Sequence, residues 1–209
     1  MSETPKSLTT DEELKVIAYF QELTDPPGGQ SAFLHHLTGV ILMIDAGLRL
    51  SECTGLCWNN VSIGDNLADA ITVPTAIAKG KRERIIPMTE RLKKNLILLK
   101  EIHKKCFNVP VGYVKKSPLG YKLLPIVRHK SKLYATSNRQ MERHLFAAGS
   151  VSIGRHLTPH MLRHTFATKL MRITNIRTVQ ELLGHKRLSS TQIYTHPSQE
   201  DLRKAVELL

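Results

Sequence analysis

The chain has 209 residues, enough for a domain with a substantial hydrophobic core. Thirty lysines and arginines against 18 aspartates and glutamates give a net charge of +12, which favours a polyanionic partner, nucleic acid first and an anionic membrane surface second. We expect a cytoplasmic protein because there is no secretory leader and no apolar run of about 18 residues, and the three cysteines lack the paired spacing of a disulfide framework or a zinc finger.

The first predicted helix begins at Thr9 or Thr10, since either side chain can accept a hydrogen bond from the following turn. Acidic residues occupy that first turn. Leu14, Ile17, Ala18 and Phe20 recur at helical spacing and are predicted to face the core.

The next segment, "SAFLHHLTGVILMIDAG", predicts a buried helix that Gly47 would end, and a short helix should follow from Ser51 through "SECTGLCW". The pattern then changes. Two short runs rich in β-branched residues, "AITV" and "RIIPM", predict an antiparallel hairpin with Lys79 at its tip. Helical spacing returns at "TERLKKNLILLKEIHKKC" and again from "SNRQMERHLFAAG" onward, so the sequence predicts a mainly α fold with a small antiparallel sheet (α+β).

The positive charge is concentrated between Ile102 and Met141, where nine lysines and arginines occur without any aspartate or glutamate. Such a stretch repels itself unless a polyanion neutralises it. It is either a DNA-contacting insertion, in which Lys115 and Lys116 would bind phosphates, or a solvated basic loop.

The segment "LTPHMLRHTFATKL" predicts a helix capped by Thr158, with an apolar stripe of Leu162, Phe166 and Leu170. His160 and Arg163 lie three residues apart near its start, beside that stripe, and are predicted to be exposed. Free backbone N–H groups at a helix N-terminus favour anions, so this pair is either a phosphate site or a solvated face.

Three further residues could belong to such a phosphate site. Arg49 lies in a link between two helices, with Glu52 close enough along the chain to orient its guanidinium. His185 follows the helix-ending Gly184, and Tyr194 follows at the start of a predicted short helix. Taken singly, Arg49 is better explained as an ion pair with Glu52, while His185 could be a C-capping histidine and Tyr194 a half-buried aromatic residue.

Together, four segments resemble the tyrosine recombinase (phage integrase) family in order and spacing: "AGLRLSECTGL", "AKGKRERIIPM", "LTPHMLRHTFATKL" and "LLGHKRLSSTQIYTH". One such box is common by chance, but four in order are not. The resemblance covers roughly residues 8–196. It implies the family's catalytic-domain fold and an enzyme that cleaves and rejoins DNA, encoded by a prokaryotic cell, a phage or a mobile element.

The resemblance assigns Arg49 and Arg163 to the non-bridging oxygens of the scissile phosphate. His185 would donate a hydrogen bond to the same phosphate. Glu52 would orient the phosphate-binding side chains without touching the phosphate. Pre-placed cations and donors stabilise the charge that gathers on those oxygens, and a planar arginine fork suits them better than lysine.

The resemblance also assigns proton transfer. Tyr194 would attack the phosphate to form a 3′-phosphotyrosine, His160 would assist its proton transfer, and Lys79 would protonate the leaving 5′ oxygen. Lys81 shares the turn with Lys79, but the match of "KGKRER" favours Lys79. Neither a cofactor nor a metal is expected, because the covalent link conserves the bond energy and the chain lacks a Walker-type loop and an HExxH motif.

We expect double-stranded DNA as the partner. Besides the catalytic residues, five basic side chains are predicted to bind it: Lys81, Arg82, Lys115, Lys116 and Arg139.

We further expect a single catalytic domain over residues 1–209, without the family's N-terminal core-binding domain. The chain would then be either a fragment of a longer protein or a minimal recombinase that grips DNA with one lobe. The tail, residues 197–209, is predicted to form an amphipathic helix. In the family such tails dock on a neighbouring subunit, which implies a homotetramer in a synaptic complex, although packing on its own core fits the pattern equally.

Two other functions use the same residues. A type IB topoisomerase employs very similar chemistry to relax supercoils, and a catalytically silent DNA-binding regulator would retain the fold alone.

Overall fold

The computed structural model describes residues 7–23, 30–64, 66–107 and 137–185. Its helices are α1 (Thr10–Glu22), α2 (Gln30–Asp45), α3 (Leu50–Gly55), α4 (Glu90–Phe107), α5 (Asn138–Ser152), α6 (Pro159–Met171) and α7 (Ile176–Leu183). Its strands are β1 (Ser62–Ile63), β2 (Asn66–Leu67), β3 (Ala70–Val73) and β4 (Arg84–Pro87). The predicted mainly α fold with a small antiparallel sheet is confirmed, and a second two-stranded sheet, β1–β2, accompanies the predicted one.

Capping residues explain where several helices begin. Thr9 caps α1 through a reciprocal pair of hydrogen bonds with Glu12, as predicted. Thr158 caps α6 by accepting a hydrogen bond from the Met161 amide at 3.2 Å, and Pro159 occupies the first helical position. Asn175 caps α7 in the same way.

Helix α2 is the centre of the core. It packs against α1, α4 and α6, and its apolar side chains from Leu34 to Ile44 are buried. Asp45 is its last residue, and Gly47 follows with φ of +59°, so the predicted end of this helix is confirmed.

Two details of the predicted helices are wrong. In α1, Ile17 and Phe20 face the core as predicted, together with Val16, whereas Leu14 and Ala18 are exposed. In the segment after Arg49, α3 ends at Gly55 instead of continuing to Trp58, because Leu56 turns into extended backbone and buries its side chain completely. A separate 3₁₀ turn, Trp58–Asn60, follows.

The strands form two antiparallel hairpins, β1–β2 and β3–β4. In the second, Val73 pairs with Arg84 and Ala70 pairs with Pro87. Ile71, Val73 and Ile86 are buried on one face. Lys79 lies in the turn that connects β3 and β4, as predicted.

Helix α6 packs against α2, and α7 packs against α6. Phe166 and Leu162 are buried in α6 and Leu170 is half-buried, which confirms the predicted stripe. Gly184 ends α7 in a left-handed conformation, with φ of +64°. None of the helices in the described part of the chain is long and apolar enough to span a membrane.

Candidate active site

A buried carboxylate lies at the centre of the candidate site. Glu52, in α3, is 0% exposed and is surrounded by three guanidinium groups. Arg49 and Arg84 donate hydrogen bonds to it, and Nη1 of Arg163 lies 3.9 Å from its Oε2. Burial by itself raises the pKa of the Glu52 carboxyl, but the hydrogen bonds and charges of Arg84 and Arg49 outweigh that effect and lower the pKa overall. Glu52 is therefore ionised at neutral pH.

Arg49 is held against Glu52 in two places. Its Nη1 donates to Oε1 at 3.0 Å, and its backbone amide donates to Oε2 at 2.8 Å. The three-residue spacing arises because Arg49 is the N-cap of α3, so that Glu52 occupies the third helical position and reaches back. The Arg49 side chain remains 21% exposed, which leaves part of the guanidinium accessible to an anion.

Arg163 is not exposed, contrary to the sequence-based prediction. It is 5% exposed because its guanidinium turns inward to the ends of two other elements. Nη1 donates to the carbonyl of Gly47, and Nη2 donates to the carbonyl of Leu183 at 2.7 Å. Arg163 thus joins α6 to the carboxyl ends of α2 and α7.

Gly47 makes this approach possible. With φ of +59°, its conformation suits glycine, and a Cβ there would lie 2.3 Å from Cδ1 of Phe166. The tight packing of Gly47 against Phe166 fixes the carbonyl that Arg163 uses.

His185 follows α7 and contacts Arg163 directly. Its Nε2 lies 3.1 Å from Nη2 of Arg163, and its backbone is held by Gln180 through two hydrogen bonds. Burial, followed by the charges of Arg163, Arg49 and Arg84, lowers the pKa of His185 from 6.5 to about 4. Its imidazole is therefore neutral at pH 7. Because a guanidinium only donates, Nε2 accepts from Arg163 and the ring proton lies on Nδ1.

Arg84, the first residue of β4, completes the group. It is 8% exposed and donates to both carboxylate oxygens of Glu52, at 3.1 Å and 2.7 Å. Sequence reasoning did not single it out, although it lies within "AKGKRERIIPM". The available signal was an arginine that begins a predicted strand otherwise rich in apolar residues.

We call Arg49, Glu52, Arg84, Arg163 and His185 the arginine cluster. Its three guanidiniums and one carboxylate leave a net charge of +2 when His185 is neutral. In a partly buried setting, such an excess of positive charge attracts a phosphate strongly.

The remaining predicted site residues divide into two groups. Five lie exposed in the described part of the chain: Lys79, Lys81, Arg82, Arg139 and His160. Lys79 and His160 make no hydrogen bond or ion pair with the arginine cluster. Arg139 follows Asn138, which accepts a hydrogen bond from Thr54 at 2.9 Å, so the start of α5 lies beside α3. Tyr194, Lys115, Lys116 and the predicted tail helix over residues 197–209 lie outside the described residues.

Other titratable residues fit structural roles. His35 and His36 are buried in α2, and the ring of His36 lies 4.0 Å from that of His144 between centroids. Cys53 is a fully buried thiol, whose pKa is raised by burial, and Cys57 is half-buried. Among the described residues, no three histidine, cysteine or acidic side chains are grouped as a metal site would require.

Comparison with known proteins supplies the decisive observation. The model of the phage integrase family matches residues 6–201. The chain belongs to the phage integrase family. The match spans the whole arginine cluster and the segment that contains Tyr194.

Curated relatives agree with this assignment. Tyrosine recombinase XerC of Bacillus subtilis is 34% identical over 192 residues, which cover 91% of this chain and 57% of that protein. Tyrosine recombinase XerA of Pyrococcus horikoshii is 32% identical over 204 residues, covering 97% of this chain and 61% of that protein. The chain therefore spans somewhat more than half the length of these relatives.

Solved structures share the fold. The crystal structure of XerA recombinase superposes with a TM-score of 0.67 at 24% identity, covering 99% of this chain and 64% of the other. The Tn1549 transposon integrase in complex with transposon right end DNA gives a TM-score of 0.67 at 20% identity, covering 100% of this chain and 67% of the other.

Proposed function

We propose that this chain is the catalytic domain of a site-specific DNA recombinase that cleaves and rejoins duplex DNA through a 3′-phosphotyrosine. The observation that carries the proposal is the arginine cluster. Arg49 and Arg163 are tied to one carboxylate, and His185 touches Arg163, within the segments by which the chain belongs to the phage integrase family. A scissile phosphate bound here would meet two guanidiniums and a neutral imidazole.

In the proposed cleavage step, the phenolic oxygen of Tyr194 attacks the scissile phosphorus and the bond from phosphorus to the 5′ oxygen breaks. His160 takes the phenolic proton, and Lys79 gives a proton to the leaving oxygen. The exposure of Lys79 and His160 supports this assignment, because both must reach a substrate on the surface. Rejoining is the reverse step with a 5′ hydroxyl of another strand.

The arginine cluster would act on the charge of the transition state. Arg49 and Arg163 stabilise the non-bridging oxygens, and the Nδ1–H of His185 donates to one of them. The preorganised ion pairs with Glu52 keep the guanidiniums in place before DNA arrives, so little reorganisation is needed during the reaction. This arrangement requires no metal or ATP.

We propose Lys81, Arg82, Arg139, Lys115 and Lys116 as contacts to the DNA backbone. The first three support this by their exposure, Arg139 next to α3 and the two others in the β3–β4 connection. Because phosphate contacts release counterions, charge reversal of Lys115 and Lys116 should weaken DNA binding and flatten its dependence on salt. An unchanged salt slope would reject these two.

The test begins with a pool of nicked duplexes of randomised sequence, because the recognition site is unknown. Cleavage near a nick releases a short fragment, so the covalent intermediate is trapped. We expect SDS-resistant protein–DNA adducts with the wild-type chain and none with Tyr194→Phe. A folded wild-type chain that binds DNA without forming adducts would instead support a DNA-binding regulator.

Two further assays define the reaction. Strand exchange between two labelled duplexes is expected for a recombinase, whereas relaxation of supercoiled plasmid without exchange would indicate a topoisomerase. Sedimentation of the adduct with its DNA tests the proposed tetramer, and removal of residues 197–209 tests whether the tail assembles it. We place this activity in the cytoplasm of a prokaryotic cell, and propose that residues 1–209 act as one catalytic domain.

A further inference from the structure

Arg84 connects three elements of the fold at one point. Its Nη1 and Nη2 bind both oxygens of Glu52 in α3, and its Nε donates to the carbonyl of Leu182 in α7 at 2.9 Å. Its own backbone belongs to β4. Three of its five N–H groups therefore bind two partners on different elements, Glu52 and Leu182. A lysine ammonium cannot reproduce this geometry.

Each contact of Arg84 leads to a residue proposed to bind the phosphate. At one end, the carboxylate of Glu52 also holds the guanidinium of Arg49 at 3.0 Å. At the other end, the carbonyl next to that of Leu182 belongs to Leu183 and accepts a hydrogen bond from Arg163.

Arg84 also contacts the turn that carries His185. A methyl group placed on Gly184 would lie 3.1 Å from Cδ and 3.3 Å from Nη1 of Arg84, so the backbone and this side chain pack tightly. His185 follows directly. In addition, Arg84 lies five residues after Lys79, at the base of the same hairpin.

We propose that Arg84 is a positioning residue. It holds Arg49, Arg163 and His185 in place around the scissile phosphate and does not itself contact the phosphate. This inference rests on the proposed function. It separates Arg84 from the residues that touch substrate, because all three of its described side-chain bonds go to Glu52 and Leu182.

Arg91 offers a matched comparison elsewhere in the fold. It also joins two buried carboxylates, Asp45 in α2 and Glu13 in α1, through charged hydrogen bonds. None of its bonds reaches the arginine cluster. Arg91→Lys therefore measures how much stability is lost when an arginine that joins two carboxylates is replaced away from the arginine cluster.

The experiment compares Arg84→Lys with Arg91→Lys, using single-turnover rates of adduct formation, DNA affinity and urea denaturation. We expect both to lose stability. Arg84→Lys should slow adduct formation about 100-fold, the lower end of the effect of removing one transition-state donor, with DNA affinity nearly unchanged. Arg91→Lys should cleave within about twofold of wild type.

A second substrate tests the mechanism of that loss. In a methylphosphonate at the scissile position, one charged non-bridging oxygen is replaced by a methyl group, so less negative charge needs stabilising. The wild-type to Arg84→Lys rate ratio should fall below about 10 on this substrate, because the defect lies in charge stabilisation. A purely structural defect would leave the ratio the same on both substrates.

Gly184→Ala supplies a second variant that keeps the charge of Arg84, since a methyl group there would lie against Cδ and Nη1 of this side chain; it also strains the left-handed backbone that precedes His185. It should show the same slowing and the same relief on the methylphosphonate, and it serves if Arg84→Lys does not fold. Equal cleavage by the Arg84 and Arg91 variants, or an unchanged ratio on the methylphosphonate, would overturn the proposal. Adducts formed by the wild-type chain would still uphold the proposed function in either case.

Discussion

Replacing Glu52 with glutamine removes one negative charge from the centre of the arginine cluster while keeping the shape of the side chain. Glu52 is completely buried, and its oxygens lie 3.0 Å from Arg49, 2.7 Å from Arg84 and 3.9 Å from Arg163. Without the carboxylate, three like charges remain close together in a largely buried site. Breaking a buried ion pair by removing one partner costs about 3–5 kcal/mol.

That magnitude is measurable against the stability of an ordinary domain, roughly 5–15 kcal/mol. We expect Glu52→Gln to lower the free energy of unfolding, from urea denaturation at pH 7, by about 3–5 kcal/mol. Because the pairs are buried, raising the salt concentration should change this loss little. Asp11→Asn is the control, since Asp11 pairs with Lys15 at 2.8 Å in an exposed setting, with side chains 72% and 57% exposed, and should cost about 1 kcal/mol or less.

The pH dependence of the free energy of unfolding tests the same role of Glu52. The pKa of the Glu52 carboxyl is lowered by its arginine partners, so its contribution to stability is present above the ordinary value of 4.5 and is lost as pH falls through the lowered pKa. Glu52→Gln should therefore show a weaker loss of stability on acidification. A loss of stability at pH 7 below about 1 kcal/mol would refute the view that Glu52 organises the cluster.

Two other substitutions test the geometry of the site. Gly47→Ala should destabilise the fold by more than Gly64→Ala: both glycines have φ of +59°, but only the methyl group at Gly47 meets Phe166, at 2.3 Å, whereas nothing lies within 4 Å at Gly64. Equal losses in urea denaturation would contradict the close packing. The lowered pKa of His185, about 4 against 6.5 when unfolded, means that the unfolded chain binds more protons, so stability should fall between pH 6.5 and 4. The wild type should lose roughly 3 kcal/mol more than His185→Asn across that interval, and the same loss in both would show that His185 is not buried as a neutral ring.

Local chemistry made much of this fold predictable. Helix ends are predictable because they depend on a few adjacent residues. Thr9 and Thr158 accept hydrogen bonds from the first turn of a helix, and Gly47 adopts the left-handed conformation that ends one. The β-branched residues of "AITV" and "RIIPM" likewise predict a hairpin, and the structure has one there. The contact from Arg49 to Glu52 follows from a three-residue spacing at a helix start.

Long-range contacts explain what the sequence did not reveal. The burial of Arg163 depends on the carbonyls of Gly47 and Leu183, which lie 116 and 20 residues away along the chain. The role of Arg84 depends on Glu52, 32 residues earlier, and on Leu182, 98 residues later. A helical pattern near Arg163 or a strand pattern near Arg84 carries no information about such partners, because tertiary packing alone brings them together.

The site itself is therefore only partly predictable from residue type. The family resemblance identified Arg49, Arg163 and His185, and the structure places all three beside one another. Their assignment to the chemistry, and that of Tyr194, remains a proposal.

Peptide mapping of the covalent adduct is the most direct test of this proposal. The wild-type chain is reacted with the nicked DNA pool, the adduct is digested with protease and nuclease, and the modified peptide is identified by mass spectrometry. We predict a nucleotide attached through its 3′ phosphate to Tyr194, with the yield greatly reduced by Arg163→Lys. Attachment to any other residue, or a 5′ phosphate linkage, would contradict the account.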